Sequence, residues 1–300
     1  MSGQSRGDLL QMLGKLPPFD QPIGVVSSTR EECPGYIKET LLLNLNGREH
    51  VPAYLLLPRG VTGPVPAILY HHAHGGQYGI GKQELLSGCA SLLDPPFGEV
   101  LPRMGYAVLC LDTWAFGQRS TKSETYLFKQ MLWQGSTLLG MMLYDSLRAI
   151  DYLHTRPEVD ASRIGVMGMS MGSTMSWWVA ALEPRIRMIV DSCCMTDFHT
   201  LLEVEQLDLH GVYYYVPNLL NRFTTADINA LIAPRPHLSL VGIHDPLTPM
   251  KGVDKIDEEL KRVYRQAGAP DAWQLRRYNT GHMETPQMRL DTLDFLQKWL

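Results

Sequence analysis

The chain has 300 residues, 45% of them apolar and 19% charged, with a formal net charge of −4. That length and apolar content suit one sizeable α/β core. Both signs of charge are spread along the chain, which argues against nucleic acid or an anionic membrane as the main partner. Residues 1–20 carry Arg6, Asp8, Lys15 and Asp20 without an apolar stretch of signal-peptide length, and no run approaches membrane-spanning length. The five cysteines are Cys33, Cys89, Cys110 and the adjacent Cys193 and Cys194, a pattern with neither disulfide framework nor metal-ligand spacing. Together these features lead to the expectation of a reduced, cytoplasmic protein, with the adjacent pair buried as packing.

Residues 1–36 read as an N-terminal arm, broken by Pro17-Pro18 and Pro34-Gly35, in which Asp8 to Leu16 can form a short helix. The arm is a candidate for a contact within a homo-oligomer. Ile37 to Leu45 and His50 to Leu57 have strand character on either side of Asn46-Gly47, a strong hairpin signal. Pro66 to His71 and Tyr106 to Leu111 read as short buried strands. A helix over Thr137 to Thr155 places Leu139, Met142, Leu143, Leu147, Ile150 and Leu153 on one stripe, and Pro157 closes it. Then follow a strand at 163–167, a helix at 173–183 and strands at 186–190 and 237–243. A helix at 253–266, a strand at 273–278 and a helix at 287–300 complete the chain. Strands separated by helices predict an α/β fold over residues 37–300, with a mostly parallel sheet covered by helices on both faces. The opening hairpin adds an antiparallel edge. Residues 197–229 interrupt the alternation and read as a small cap over the carboxyl edge of the sheet.

The stretch Gly168-Met169-Ser170-Met171-Gly172 reads G-x-S-x-G between a strand and a helix. In that context the serine hydroxyl projects from a tight turn, and the helix N-terminus offers free N–H groups to a developing anion. A serine needs a base to act as nucleophile. His282, in a loop after the last strand, is the candidate. Asp245, in the loop after the strand at 237–243, is the candidate carboxylate to orient it, with Asp191 and Asp197 as rivals and His244 as a weaker base. The order Ser170, Asp245, His282 is that of α/β-hydrolases rather than of the two unrelated serine-protease orders. His71, His72 and His74 follow a strand and invite a metal reading. No carboxylate lies close to them in sequence, so the preferred reading is metal-free and cofactor-free. The backbone N–H of His74 would then join that of Met171 in an oxyanion hole, and Gly75-Gly76 would let backbone approach a ligand.

These pieces resemble the α/β-hydrolases, and within them the dienelactone-hydrolase and acetyl-xylan-esterase-like group. The resemblance rests on Tyr70 to Gly76, Gly168 to Gly172, Gly242 with Asp245, and Gly281-His282. It extends to the run Asp145 to Gly172 and to Ile232-Ala233-Pro234-Arg235-Pro236, and covers about residues 37–300. It implies Ser170 as nucleophile, His282 as base, Asp245 as acid, and amides near His74 and at Met171 as oxyanion donors. Two departures stand out. The usual His-Gly is His72-Ala73 here, and the dienelactone branch uses cysteine where this chain has Ser170.

Of the remaining residues, Trp114 and Tyr214 are candidates to line a substrate pocket, with Trp133, Tyr213 and Tyr215 beside them, and His210 could approach from the cap. Asp112 to Ser120 reads as a structural loop, Trp177-Trp178 as packing and Arg235 as a brace. The function expected is hydrolysis of a small-molecule carboxylic ester through an acyl-enzyme. Cleavage of another acyl bond (amide, peptide, thioester or lactone) and a non-catalytic binding role are the alternatives.

Overall fold

The computed structural model describes residues 5–300. Among them the strands are β1 (Gly24–Cys33), β2 (Tyr36–Asn44), β3 (Val51–Pro58), β4 (Val65–His71), β5 (Ala107–Leu111), β6 (Val159–Met169), β7 (Met188–Ser192), β8 (His237–Gly242) and β9 (Trp273–Tyr278). The helices are α1 (Arg6–Met12), α2 (Glu84–Ser87), α3 (Phe97–Arg103), α4 (Glu124–Trp133), α5 (Leu138–His154), α6 (Met171–Leu182), α7 (Phe198–Glu203), α8 (Thr225–Ala230), α9 (Met250–Gln266) and α10 (Pro286–Trp299).

The described strands form one nine-stranded sheet in the order β1-β2-β3-β5-β4-β6-β7-β8-β9. From β5 to β9 neighbouring strands are parallel, and β1, β2 and β3 add antiparallel pairs at one edge. The parallel strands are buried on both faces, so side-chain alternation sorts their residues into two cores. Ala67, Leu69, Ile164 and Val166 join α1, α4, α5, α6 and α9 on one face. Ile68, Tyr70, Met167 and Met169 join α3 and α10 on the other. Local signals fix the helix starts. Thr137 caps α5 through the N–H of Gly140, and Thr285 caps α10 ahead of Pro286 in its first turn.

The N-terminal arm differs from the expectation. Residues 24–33 form β1, paired with β2 from Gly24 opposite Asn44 to Cys33 opposite Tyr36. Nearly every residue of β1 is exposed, so no apolar alternation marks it in the sequence. The helix in the arm spans Arg6–Met12, begins at a capping box of Ser5 and Asp8, and buries Leu9. Residues 197–229 hold α7, three short turns of helix and the start of α8. Phe198, Leu201, Tyr213, Tyr214 and Phe223 anchor this segment in the main core.

Candidate active site

Strand β4 is flanked by β5 on one side and β6 on the other. The chain leaves β4 for β5, then returns past it to build β6, β7, β8 and β9 outward. The loops after β4 and β6 therefore diverge and leave a crevice at their carboxyl ends, the usual ligand position in such sheets. Ser170 follows β6, Asp245 follows β8 and His282 follows β9.

Ser170 sits between β6 and α6 with φ 60 and ψ −119, a conformation that side-chain-bearing residues rarely adopt. Its N–H donates to Ser192 O at 2.9 Å, and its carbonyl accepts the first helical bond, from Thr174 N–H at 3.1 Å. A Cβ on Gly168 would come within 2.4 Å of His71 O, and one on Gly172 within 2.0 Å of the same atom. Close approach of β4, rather than a positive φ, is what makes glycine necessary at both flanks. The Met171 N–H lies in the first turn of α6 and has no acceptor among the described residues.

Asp245 is buried, and its Oδ2 accepts from His282 Nδ1 at 2.7 Å. Leu247 N–H donates to Oδ1 at 2.9 Å. An ionised carboxylate cannot donate, so Nδ1 carries the hydrogen and Nε2 of His282 is left as an acceptor. His282 is partly exposed and borders the same cavities as Ser170.

The loop after β4 is pinned from three directions. His72 Nε2 accepts from Thr113 N–H at 3.2 Å and lies 2.8 Å from Thr113 Oγ1, while His72 Nδ1–H donates to Ala73 O at 2.9 Å. Both carboxylate oxygens of Glu84 accept from Ala73 N–H, at 3.1 and 3.0 Å. His74 Nε2–H donates to Glu124 at 3.2 Å, its Nδ1 accepting from Gly76 N–H. The peptide joining Ala73 to His74 is planar, so fixing Ala73 O also fixes the direction of the His74 N–H. That N–H has no acceptor among the described residues. Each histidine ring of the cluster is thus engaged, His71 by Ser176 and Ser146 inside the core. Burial holds the His71 ring far below its ordinary range, at about 3.

Sequence reasoning missed Glu84. It lies on a short helix thirteen positions past β4, with no motif to announce it. Burial raises its carboxyl from an ordinary 4.5 to about 7, against the pull of hydrogen bonds from Tyr70 and Ala73. Burial, and to a smaller extent the neighbouring Glu84 carboxylate, push the Cys89 thiol up to about 11.

Two unequal lobes meet at Ser170 and His282. The larger, of about 500 Å³, is walled by His74, Tyr78, Glu124, Asp208, His210 and Tyr213. The smaller, of about 100 Å³, runs past Ala73 to Glu84, Cys89 and Ser91. The segment 197–229 supplies Asp208, His210 and Tyr213 to the wall of the larger lobe. The two expected pocket aromatics are elsewhere. Tyr214 stands behind Tyr213, with its hydroxyl 3.0 Å from Thr174 Oγ1 and 2.9 Å from Cys194 Sγ, because the turn at 212–214 presents Tyr213 to the cavity. Trp114 lines a separate cavity, because the loop after β5 carries it away from the crevice to stack on Arg119. Of the rivals, Asp191 is buried against His237 at 2.6 Å and Asp197 caps α7. His244 bonds Asn279 at the surface. Arg235 braces the loops by donating to the carbonyls of Ala180, Glu183, Ile186 and Ile232. The cysteines are free.

A model of the dienelactone hydrolase family matches residues 51–269. YtaP of Bacillus subtilis (strain 168), provisionally named a hydrolase, is 50% identical over 300 residues and covers 100% of both chains. The chain belongs to the dienelactone hydrolase family. As a member it is a hydrolase, and the family's matched stretch contains Ser170 and Asp245 but stops short of His282. Among solved structures, a Bacteroides fragilis NCTC 9343 protein provisionally named an acetyl xylan esterase is 21% identical, with TM-score 0.71, over 91% of this chain and 73% of that one. A glucuronoyl esterase from Solibacter usitatus is 16% identical, with TM-score 0.70, over 97% and 91%. Acetyl xylan esterase 1 from Thermoanaerobacterium sp. JW/SL YS485 is 16% identical, with TM-score 0.66, over 97% and 98%. These likenesses carry the fold, that of the α/β-hydrolase esterases. No helix among the described residues is long and apolar enough to cross a membrane.

Proposed function

We propose that the chain hydrolyses carboxylic esters through an acyl-enzyme on Ser170. The observation that carries the reading is the 2.7 Å bond from His282 to buried Asp245, made where both His282 and the strained Ser170 open on one cavity. In this reading Ser170 Oγ attacks the ester carbonyl carbon while His282 Nε2 takes its proton. Asp245 holds the ring and stabilises the imidazolium. The N–H groups of Met171 and His74 receive the oxyanion, a contribution worth about 3 kcal/mol per donor in comparable sites. Collapse breaks the bond to the alcohol, which leaves with the proton from His282. Water, deprotonated by His282, then releases the acid and restores Ser170.

The unequal lobes support a finer reading, a small acyl group in the 100 Å³ lobe and a hydroxylated alcohol in the 500 Å³ lobe, whose walls offer Glu124, Asp208, His210 and Tyr78 as partners. The fold likeness to acetyl xylan esterases points the same way. Labelling with a fluorophosphonate, followed by a series of p-nitrophenyl esters of increasing acyl length, tests both levels. Labelling is expected in the wild type and not in Ser170→Ala, with kcat/KM falling as the acyl chain lengthens. An unlabelled, folded wild type favours a binding role and rejects the reading. Preference for amide or thioester substrates over esters on the same serine replaces only the bond cleaved.

A further inference from the structure

A cavity of about 510 Å³ shares no lining residue with the two lobes at Ser170. Its rim carries Lys15, Arg48 and Lys122, exposed cations that form no ion pair with any described residue. Its wall holds Trp114, Arg119 and Gln130. Each of these leaves a buried polar atom without a partner: Trp114 Nε1, Arg119 Nη2 and Gln130 Oε1. All three atoms are sealed from the cavity, so the exposed cations on its rim are what a ligand meets. The acidic counterweight is Glu49, which bonds Arg119 Nε at 2.6 Å, while Asp145 behind the wall bonds Arg119 Nη1 at 2.8 Å. Against the four cations Lys15, Arg48, Lys122 and Arg119 these two carboxylates leave a local excess of positive charge, in a chain whose overall charge is −4.

The cavity stands on a fixed frame. Asn46 Oδ1 accepts the N–H groups of Arg48 and Glu49 at 2.8 and 3.0 Å, and Asn46 Nδ2 donates to Asp145 at 2.7 Å. Lys15 is tied at its backbone, by its N–H to Gly135 O at 2.7 Å and by its carbonyl to Ser136 Oγ at 2.6 Å. The rim cations therefore project from anchored backbone.

We infer that this cavity binds a small organic polyanion. The cations on the rim match phosphate or carboxylate groups. A sugar phosphate and a hydroxy-polycarboxylate share this chemistry. Isothermal titration of the full chain with ribose 5-phosphate, citrate, inorganic phosphate and neutral ribose separates the sources. The expected result is one-to-one binding of ribose 5-phosphate or citrate, with phosphate weaker and ribose silent. Affinity should survive in Ser170→Ala, and the rim variant locates the site. It should drop by about tenfold or more when Lys15, Arg48 and Lys122 are all changed to serine. Those residues are exposed, so circular dichroism should report an unchanged fold. Absence of heat with every anion overturns the inference, as does binding that the triple variant retains.

Discussion

Glu84 gives the sharpest quantitative test. Its carboxyl is held near 7 instead of 4.5 because the group is buried under the loop after β4, next to the crevice. Between those values the native protein keeps a proton that the unfolded chain has released. Stability from this group is therefore fully present below pH 4.5 and is lost as pH rises through about 7. At about 1.4 kcal/mol per tenfold change in proton affinity, that interval corresponds to about 3 kcal/mol. Glu84→Gln has no charge to bury. It keeps one acceptor for Tyr70 and Ala73 and loses the second, a penalty of about 1–3 kcal/mol that does not depend on pH. The assay is chemical denaturation of wild type and variant at about pH 5 and pH 8. His71, held at about 3 by burial, destabilises in the opposite direction, since its unfolded form takes up a proton below 6.5. It cancels in the difference between the two proteins. The wild-type advantage over Glu84→Gln should shrink by about 2–3 kcal/mol from pH 5 to pH 8. A difference that stays constant across that range refutes the raised carboxyl and the burial argument behind it.

Three further outcomes follow from the geometry. Ser170→Gly should be about 1 kcal/mol more stable than Ser170→Ala in urea melts, both inactive, because glycine relieves the φ of 60. Asp245→Asn should lower kcat about 10⁴-fold with KM little changed, since the asparagine no longer fixes the tautomer of His282; a loss below about tenfold removes Asp245 from the proposed machinery. Gly172→Ala should cost about 3 kcal/mol and abolish fluorophosphonate labelling, because its Cβ meets His71 O at 2.0 Å.

The parallel strands, the hairpin and the elbow were legible because each leaves a local trace: an apolar run, Asn46-Gly47, or glycines flanking a serine. Strand β1 left none, since an exposed edge strand buries neither face and its residues need not alternate. The candidate side chains Ser170, Asp245 and His282 could be nominated from chain order, each falling after a predicted strand. That His282 reaches Asp245 at 2.7 Å, and that His282 borders the same cavities as Ser170, is a property of strand order in the sheet.

What the sequence determined alone was therefore whatever depends on neighbours in the chain: element types, the turn that strains Ser170, and the helix start behind Met171. The tertiary structure decided what depends on distance across the chain. It turned Tyr213 rather than Tyr214 toward the cavity, sent Trp114 to a different one, and brought Glu84 up against Ala73. Burial and the pairing of remote polar groups are set by packing, and packing is not encoded at any fixed spacing.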